Sequence, residues 1–212
     1  GRLERTTRWL TITTYGSTEA IEREARRVNE LHSHVNGKYP AKDGKTQSYS
    51  ARDARHLLWV HCAFTDSFLR AHLELGYPIS LGADRYVQEW SKSAIPLGLN
   101  SAPQSALELQ ETIDGFVLNE VETIGMTPPI VRFILKPPFS RGGLFFYRIL
   151  ANAAIATIDE PFLTVLGLKK RSKIWLRVSR KLLDFLSYML GHESPSQKIA
   201  RARIEALQCT YV

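Results

Sequence analysis

Residues 17–37, Ser17-Thr18-Glu19-Ala20-Ile21-Glu22-Arg23-Glu24-Ala25-Arg26-Arg27-Val28-Asn29-Glu30-Leu31-His32-Ser33-His34-Val35-Asn36-Gly37, carry the clearest structural signal in the chain. Ser17 and Thr18 supply an N-cap and Glu19 places an acid in the first turn, where it meets the positive end of the helix dipole. Ile21, Ala25, Val28 and Val35 recur at helical spacing with Leu31 on their flank, so one face is apolar. The pattern predicts a helix to about Asn36, stopped by Gly37. His32 falls on the apolar stripe, whereas His34 lines up with Arg23, Arg27 and Glu30 on the polar side.

The same reading applied outward predicts further helices. One opens the chain over 3–15, ending before Gly16. A long one covers 51–75, with Leu57, Leu58, His61, Phe64, Phe68 and His72 on its inner face, and ends at Gly76-Tyr77-Pro78. Others cover about 79–96, 103–117, 130–135, 143–158 and 172–190, and Pro195 precedes a short basic tail helix. Residues 38–48 are polar and hold Pro40, Asp43 and Gly44, which predicts a loop. No alternating run has strand length, and no internal repeat is visible. The expected architecture is all-α: a single-domain helical bundle over 1–212.

Composition narrows the function classes. At 212 residues, 44% hydrophobic and 23% charged, the chain has the profile of a globular protein able to bury a full core. Two cysteines, Cys62 and Cys209, form neither a disulfide framework nor a CxxC metal pair, which suits a reducing compartment. The first residues do not read as a signal peptide, and the expected location is cytoplasmic. The net charge of +7 gathers in 2–8 and 169–181 without the aromatic platform that grips single strands, so no nucleic-acid partner is expected. The longest apolar run, 144–158, is broken by Arg148 and Asn152 and reads as a buried helix. The final long helix combines Lys169, Lys170, Arg171, Lys173, Arg177, Arg180 and Lys181 with Ile174, Trp175, Leu176, Leu182, Leu183 and Phe185. That combination is compatible with peripheral membrane contact, but the favoured expectation is that its apolar face packs on the body of the protein.

The chemistry-bearing candidates are histidines, at 32, 34, 56, 61, 72 and 192. HExxH, GxSxG, P-loop and GxGxxG patterns are missing. Paired Glu-x-x-His motifs for a di-iron bundle are also missing, since Asn29 stands three residues before His32. A single neutral imidazole on an apolar face suits a haem iron, which needs one axial nitrogen and apolar surroundings, and His32 and His61 both fit. On residue chemistry alone the favoured reading of the same two residues is a pair of hydrogen-bonded core histidines.

Several short segments, in order, carry a family resemblance. Arg2-Leu3-Glu4-Arg5-Thr6-Thr7-Arg8-Trp9-Leu10 with Thr14-Tyr15-Gly16 resembles the Arg-x-x-basic-Thr…aromatic-Gly segment of the oxygenase family that includes the latex-clearing proteins (rubber oxygenases) and the MpaB-type oxygenases. His32 to Gly37 is similar to that family's His-x-x-Val-x-Gly helix end. Tyr49-Ser50-Ala51-Arg52-Asp53 with Leu58-Trp59-Val60-His61 is similar to its Tyr-x-Ala-x-Asp…Trp-Val-His block, and 195–201 to its Pro…Ala-x-x-Arg ending. The resemblance implies a globin-like helical core holding haem b, with His32 as proximal iron ligand and Arg2, Arg5 and Thr6 beside the haem. His61 is the alternative ligand or a group behind it. It implies an oxygenase that uses O2 on a hydrophobic, isoprenoid-like or otherwise unsaturated substrate, with Arg5 and Thr6 in the catalytic cluster. The other reading is a non-catalytic haem- or small-ligand-binding helical protein. Two departures favour the second: rubber oxygenases carry a lysine where this chain has Arg5, whose guanidinium is a poor ligand, and the family's catalytic carboxylate belongs to a segment that would lie before Gly1.

Overall fold

The computed structural model describes residues 2–40 and 45–210, and their side chains except those of Arg2, Pro40, Cys209 and Thr210. The expectation of an all-α chain holds, with ten α-helices among these residues and one small sheet. The chain divides into two compact units, Gly1–His61 with Gln88–Ala102 and Gly191–Val212, and Cys62–Val87 with Pro103–Leu190.

In the first unit, α1 (Arg2–Tyr15) and α2 (Thr18–Ser33) pack together, and α10 (Pro195–Thr210) lies on α1. Gly16 makes the α1–α2 turn possible. Its amide bonds the Ile12 carbonyl at 2.7 Å, and a Cβ there would collide with that same carbonyl oxygen. Ser17 caps α2 by accepting the Ala20 amide, as its sequence position predicts. The α1 C-terminus receives a cation: Arg203 of α10 donates to the carbonyls of Tyr15 and Gly16 at 2.9 and 3.0 Å. Asn29 of α2 donates to the Pro96 carbonyl of a 3-10 turn, Ile95–Leu97.

Two expectations in this unit are corrected. α2 ends at Ser33, three residues early, and Val35 lies outside it and is exposed. The Asn36 side chain takes the Ser33 carbonyl, and Gly37 is no helix cap but a strand residue. The expected loop over 38–48 contributes instead to an antiparallel ribbon of β1 (Asn36–Pro40) and β2 (Thr46–Ser50), with Asn36 opposite Ser50 and Pro40 opposite Thr46. Tyr39 faces Gln47 and donates its hydroxyl to it at 3.0 Å. The ribbon is largely solvent-exposed, so no apolar alternation marks it in sequence.

The second unit is organised around α7 (Arg141–Thr157) and α9 (Ile174–Leu190). Ala153, Ala156 and Leu176 form their shared core, with Trp175 and Leu75 against it. Small residues let the helices approach closely enough for the Ser179 hydroxyl to reach the Ile149 carbonyl at 3.3 Å. The basic final long helix therefore does pack its N-terminal half on the protein, while its end, with Phe185, Tyr188, Met189 and Leu190, is exposed. Arg180 of α9 donates to the Leu75 carbonyl at 2.7 Å and lies 3.9 Å over the Tyr77 ring, whose hydroxyl donates to Asp184. This clamps the Gly76-Tyr77-Pro78 turn.

α3 (Ala54–Glu74) buries a face rotated from the expected one. His61, Cys62, Thr65 and Leu69 are buried, whereas Phe68 and His72 are exposed. Small side chains at 62 and 65 permit close packing on that side. Phe64 and Phe68 instead stack on each other at 5.8 Å. Arg70 of α3 ties Asp66 to Asp159, at the start of α8 (Glu160–Leu166), with bonds of 2.8–3.0 Å. The helix expected over 79–96 is α4 (Gly82–Ser91) followed by the 3-10 turn, because Gly82 adopts φ +81° and Pro96 interrupts the far end. α5 (Ala106–Asn119) and α6 (Thr127–Leu135) complete the unit, with Pro128-Pro129 tolerated in the first turn of α6. Among the described residues no helix is long and apolar enough to cross a membrane.

Candidate functional site

The residues singled out from sequence lie in the first unit. Along α1 the half-buried positions are Thr6, Trp9, Leu10, Ile12, Thr13 and Tyr15, of which Thr6, Trp9, Leu10 and Thr13 form one helical stripe that faces inward, while Arg5 is exposed. On α2 the inner stripe is Ile21, Glu24, Ala25, Val28 and His32, with Glu24 and Ala25 fully buried. His32 thus occupies the face its spacing predicts. His34 is exposed and pairs with Glu30 at 3.2 Å, again as its spacing predicts. The Arg2 side chain lies outside the described residues.

Glu24 fixes how the two helices meet. Its carboxylate is only 2% exposed and accepts from Arg8 Nε of α1 at 2.9 Å through Oε2 and from Arg27 Nε at 3.0 Å and Arg27 Nη2 through Oε1. Hydrogen bonds from Arg27, then from Arg8, hold its carboxyl below the ordinary 4.5 although burial opposes this. Arg27 is therefore half-buried and not a member of the solvated face expected for it. Thr6, Arg5 and His32 all lie beyond this link from the connecting turn at Gly16-Ser17.

Sequence reasoning missed Glu24. The available signal was an acid three residues after Ile21 and four before Val28, on an otherwise apolar stripe, with an arginine at i+3. A buried carboxylate must be paired.

His32 and His61 are both held neutral by burial. Desolvation lowers the His32 pKa below 6.5, and its Nδ1 is buried with no hydrogen-bond partner among the described residues. His61 on α3 is 9% exposed, and burial pushes its pKa down to about 4. Neither ring is bonded to the other, and no bond joins His32 to Arg5 or Thr6. The structure thus places Thr6 and His32 on inward faces of two packed helices, His61 on a third helix, and Arg5 outside. Among the described residues no group of three or more His, Cys, Asp or Glu could hold a bare metal ion. One neutral imidazole with a free lone pair can still serve as a single axial donor.

The burial of His61 has a pH consequence. The unfolded ring takes up a proton below about 6.5 and the folded ring only near 4. The folded state therefore binds fewer protons in that window, and stability is full above 6.5 and declines as pH falls toward 4. The loss is roughly 3 kcal/mol at most. Urea unfolding across this range should show the decline in the native chain and a flatter profile in His61→Gln; equal slopes would refute the assignment.

An all-α protein built around a helical hairpin with a buried acid clamp and a neutral inward imidazole is the class that fold and site define. Residues 1–188 match the family described as ER-bound oxygenase mpaB/B'/Rubber oxygenase, catalytic domain, and the chain belongs to that family. The match stops short of the 195–201 segment that resembles the family ending. No curated protein and no solved structure matches the chain.

Proposed function

We propose that the chain is a haem b-dependent oxygenase that uses O2 to cleave a C=C bond in an apolar, isoprenoid-like or otherwise unsaturated substrate. The family is an oxygenase family, and the observation that carries the cofactor reading is His32. Its ring is on the inward stripe of α2, is kept unprotonated by burial, and has an Nδ1 without a partner among the described residues. These are the properties required of an axial ligand, so the residues present fit the group. When bound, haem supplies an iron that takes O2 and the redox chemistry of its activation.

The chain's own residues have separate tasks. His32 holds the cofactor through a ring nitrogen. The Arg8–Glu24–Arg27 cluster holds α1 against α2 and so fixes the inward stripe of α1 relative to that of α2. Thr6 lies on the inward stripe of α1, and the guanidinium of Arg5 can pair anionic groups, cofactor carboxylates included, a role the family resemblance also gives to Arg2. His61, buried and neutral, stands as the alternative ligand or a supporting group. Apolar substrate would be kept from water by the half-buried Trp9, Leu10, Ile21 and Val28.

The exposed position of Arg5 supports a second reading, a haem- or small-ligand-binding protein without turnover. Purified chain reconstituted with haem should give a dithionite-reduced CO-difference spectrum, and unsaturated lipids incubated with it under O2 should yield carbonyl products. A spectrum without products selects the second reading. Absence of any haem spectrum overturns both.

A further inference from the structure

Within the second unit, α6 and α8 meet and leave an open cleft of about 520 Å³. Its walls are held by the chain's own bonds. The Thr123 hydroxyl donates to the Val165 carbonyl at 2.7 Å and ties the approach to α6 onto the end of α8. The Ile124 amide donates to Thr127 Oγ1 at 3.1 Å and closes the first turn of α6. Gly167, at φ +64°, stops α8 at the cleft.

Helical spacing sorts the lining. Val131 and Leu135, one turn apart on α6, line the cleft with Val165 and Leu166 of α8, and all four are only half-buried. Arg132 and Lys136 follow the two α6 residues by one position each, so the cations form a parallel row on adjacent turns. Both are exposed, and neither has an ion-pair partner among the described residues. Among those residues no acidic and no aromatic side chain lines the cleft.

A cation in the last turn of a helix complements its dipole and by itself calls for no ligand. Two of them beside an aliphatic trough that the protein leaves unfilled define a ligand chemistry. A cleft of this size, apolar with a few polar groups at one side, is the usual form of a small-molecule site. A bare anion would leave the aliphatic wall wet, and a neutral hydrocarbon would leave the cations unpaired. The planar guanidinium of Arg132 matches a carboxylate, and Lys136 adds a point charge beside it. We propose that the α6–α8 cleft binds an aliphatic carboxylate of the fatty-acid class, its chain along Val131, Leu135, Val165 and Leu166 and its carboxylate paired by Arg132 and Lys136. The site does not rest on the haem reading, and its test reads no haem.

The experiment is a titration of the full, isotope-labelled chain with sodium decanoate below its micelle concentration, followed by amide chemical shifts and by calorimetry. Saturable one-to-one binding is expected, with the largest shifts at Val131, Leu135, Val165 and Leu166. Hexanoate, shorter by several methylenes, should bind at least about tenfold more weakly. Decanol, with the same chain and no charge, should also bind about tenfold more weakly. Arg132→Gln with Lys136→Gln should lower decanoate affinity about tenfold and leave decanol binding and the helical circular-dichroism spectrum unchanged, because both side chains are exposed. Lys169→Gln with Arg171→Gln, exposed cations outside the cleft, should bind like the native chain. The proposal is overturned by absence of saturable binding, by shifts centred elsewhere, by decanol or hexanoate binding as tightly as decanoate, or by inorganic phosphate alone binding as tightly.

Discussion

His32→Ala is expected to lose most of the haem that the native chain retains after reconstitution and desalting, read as Soret absorbance per protein. The reason is geometric. His32 occupies the inward stripe of α2 with Ile21, Ala25 and Val28, and burial keeps its ring neutral with an unpartnered Nδ1. Alanine removes the nitrogen and leaves the helix intact, since alanine is the best helix former. His34→Ala should leave the Soret band unchanged, because His34 is exposed and its contact with Glu30 is a surface pair worth little. His61→Ala should perturb the band and the stability without abolishing retention. Retention in His32→Ala together with loss in His61→Ala would move the ligand to α3 and leave the haem reading standing. Retention in both would remove it.

The second large effect concerns the clamp between α1 and α2, where removing a cation is expected to be worse than removing the acid. In Arg27→Ala the Glu24 carboxylate, 2% exposed in the native chain, keeps only Arg8, whose own side chain is 59% exposed. A stranded buried charge costs about 3 kcal/mol or more. In Glu24→Gln the two arginines can turn to water and the amide still accepts one hydrogen bond, so a cost of about 1–2 kcal/mol is expected. Urea denaturation at neutral pH checks the order; an Arg27→Ala cost no greater than that of Glu24→Gln would refute the stranded-charge account. The pH dependence has a fixed sign. The folded Glu24 pKa lies below its ordinary 4.5, so the contribution is complete above about 4.5 and is lost as pH falls through the lower folded value. Glu24→Gln should therefore be less sensitive to acid in that range than the native chain.

Helical character and the position of His32 were legible in sequence because both are local. A cap at Ser17, an apolar period of 3.6 and a turn residue at Gly16 involve neighbours within a few positions. The same locality explains the errors. The length of α2 is set by the ribbon that follows it, where Asn36 and Gly37 join a strand whose partner lies ten or more residues on. An exposed two-stranded ribbon needs no apolar alternation, so 38–48 looked like a loop. The largest side chains of α3, Phe64, Phe68 and His72, suggest one inner face, but close packing selects the smaller Cys62 and Thr65.

By itself, then, the sequence determined that the chain is helical, that it carries the ordered motifs of an oxygenase family, and that His32 faces inward and His34 outward. Periodicity and motif order are properties of the chain alone. Only the tertiary structure decided that Glu24 is the buried hub of α1 and α2, because its partner Arg8 is sixteen residues away and nothing in local spacing pairs them. It likewise decided that the phenylalanines of α6 and α7 are exposed: an apolar side chain reads the same in sequence whether a neighbouring helix covers it or water does, and only the packing of the other elements tells the two apart.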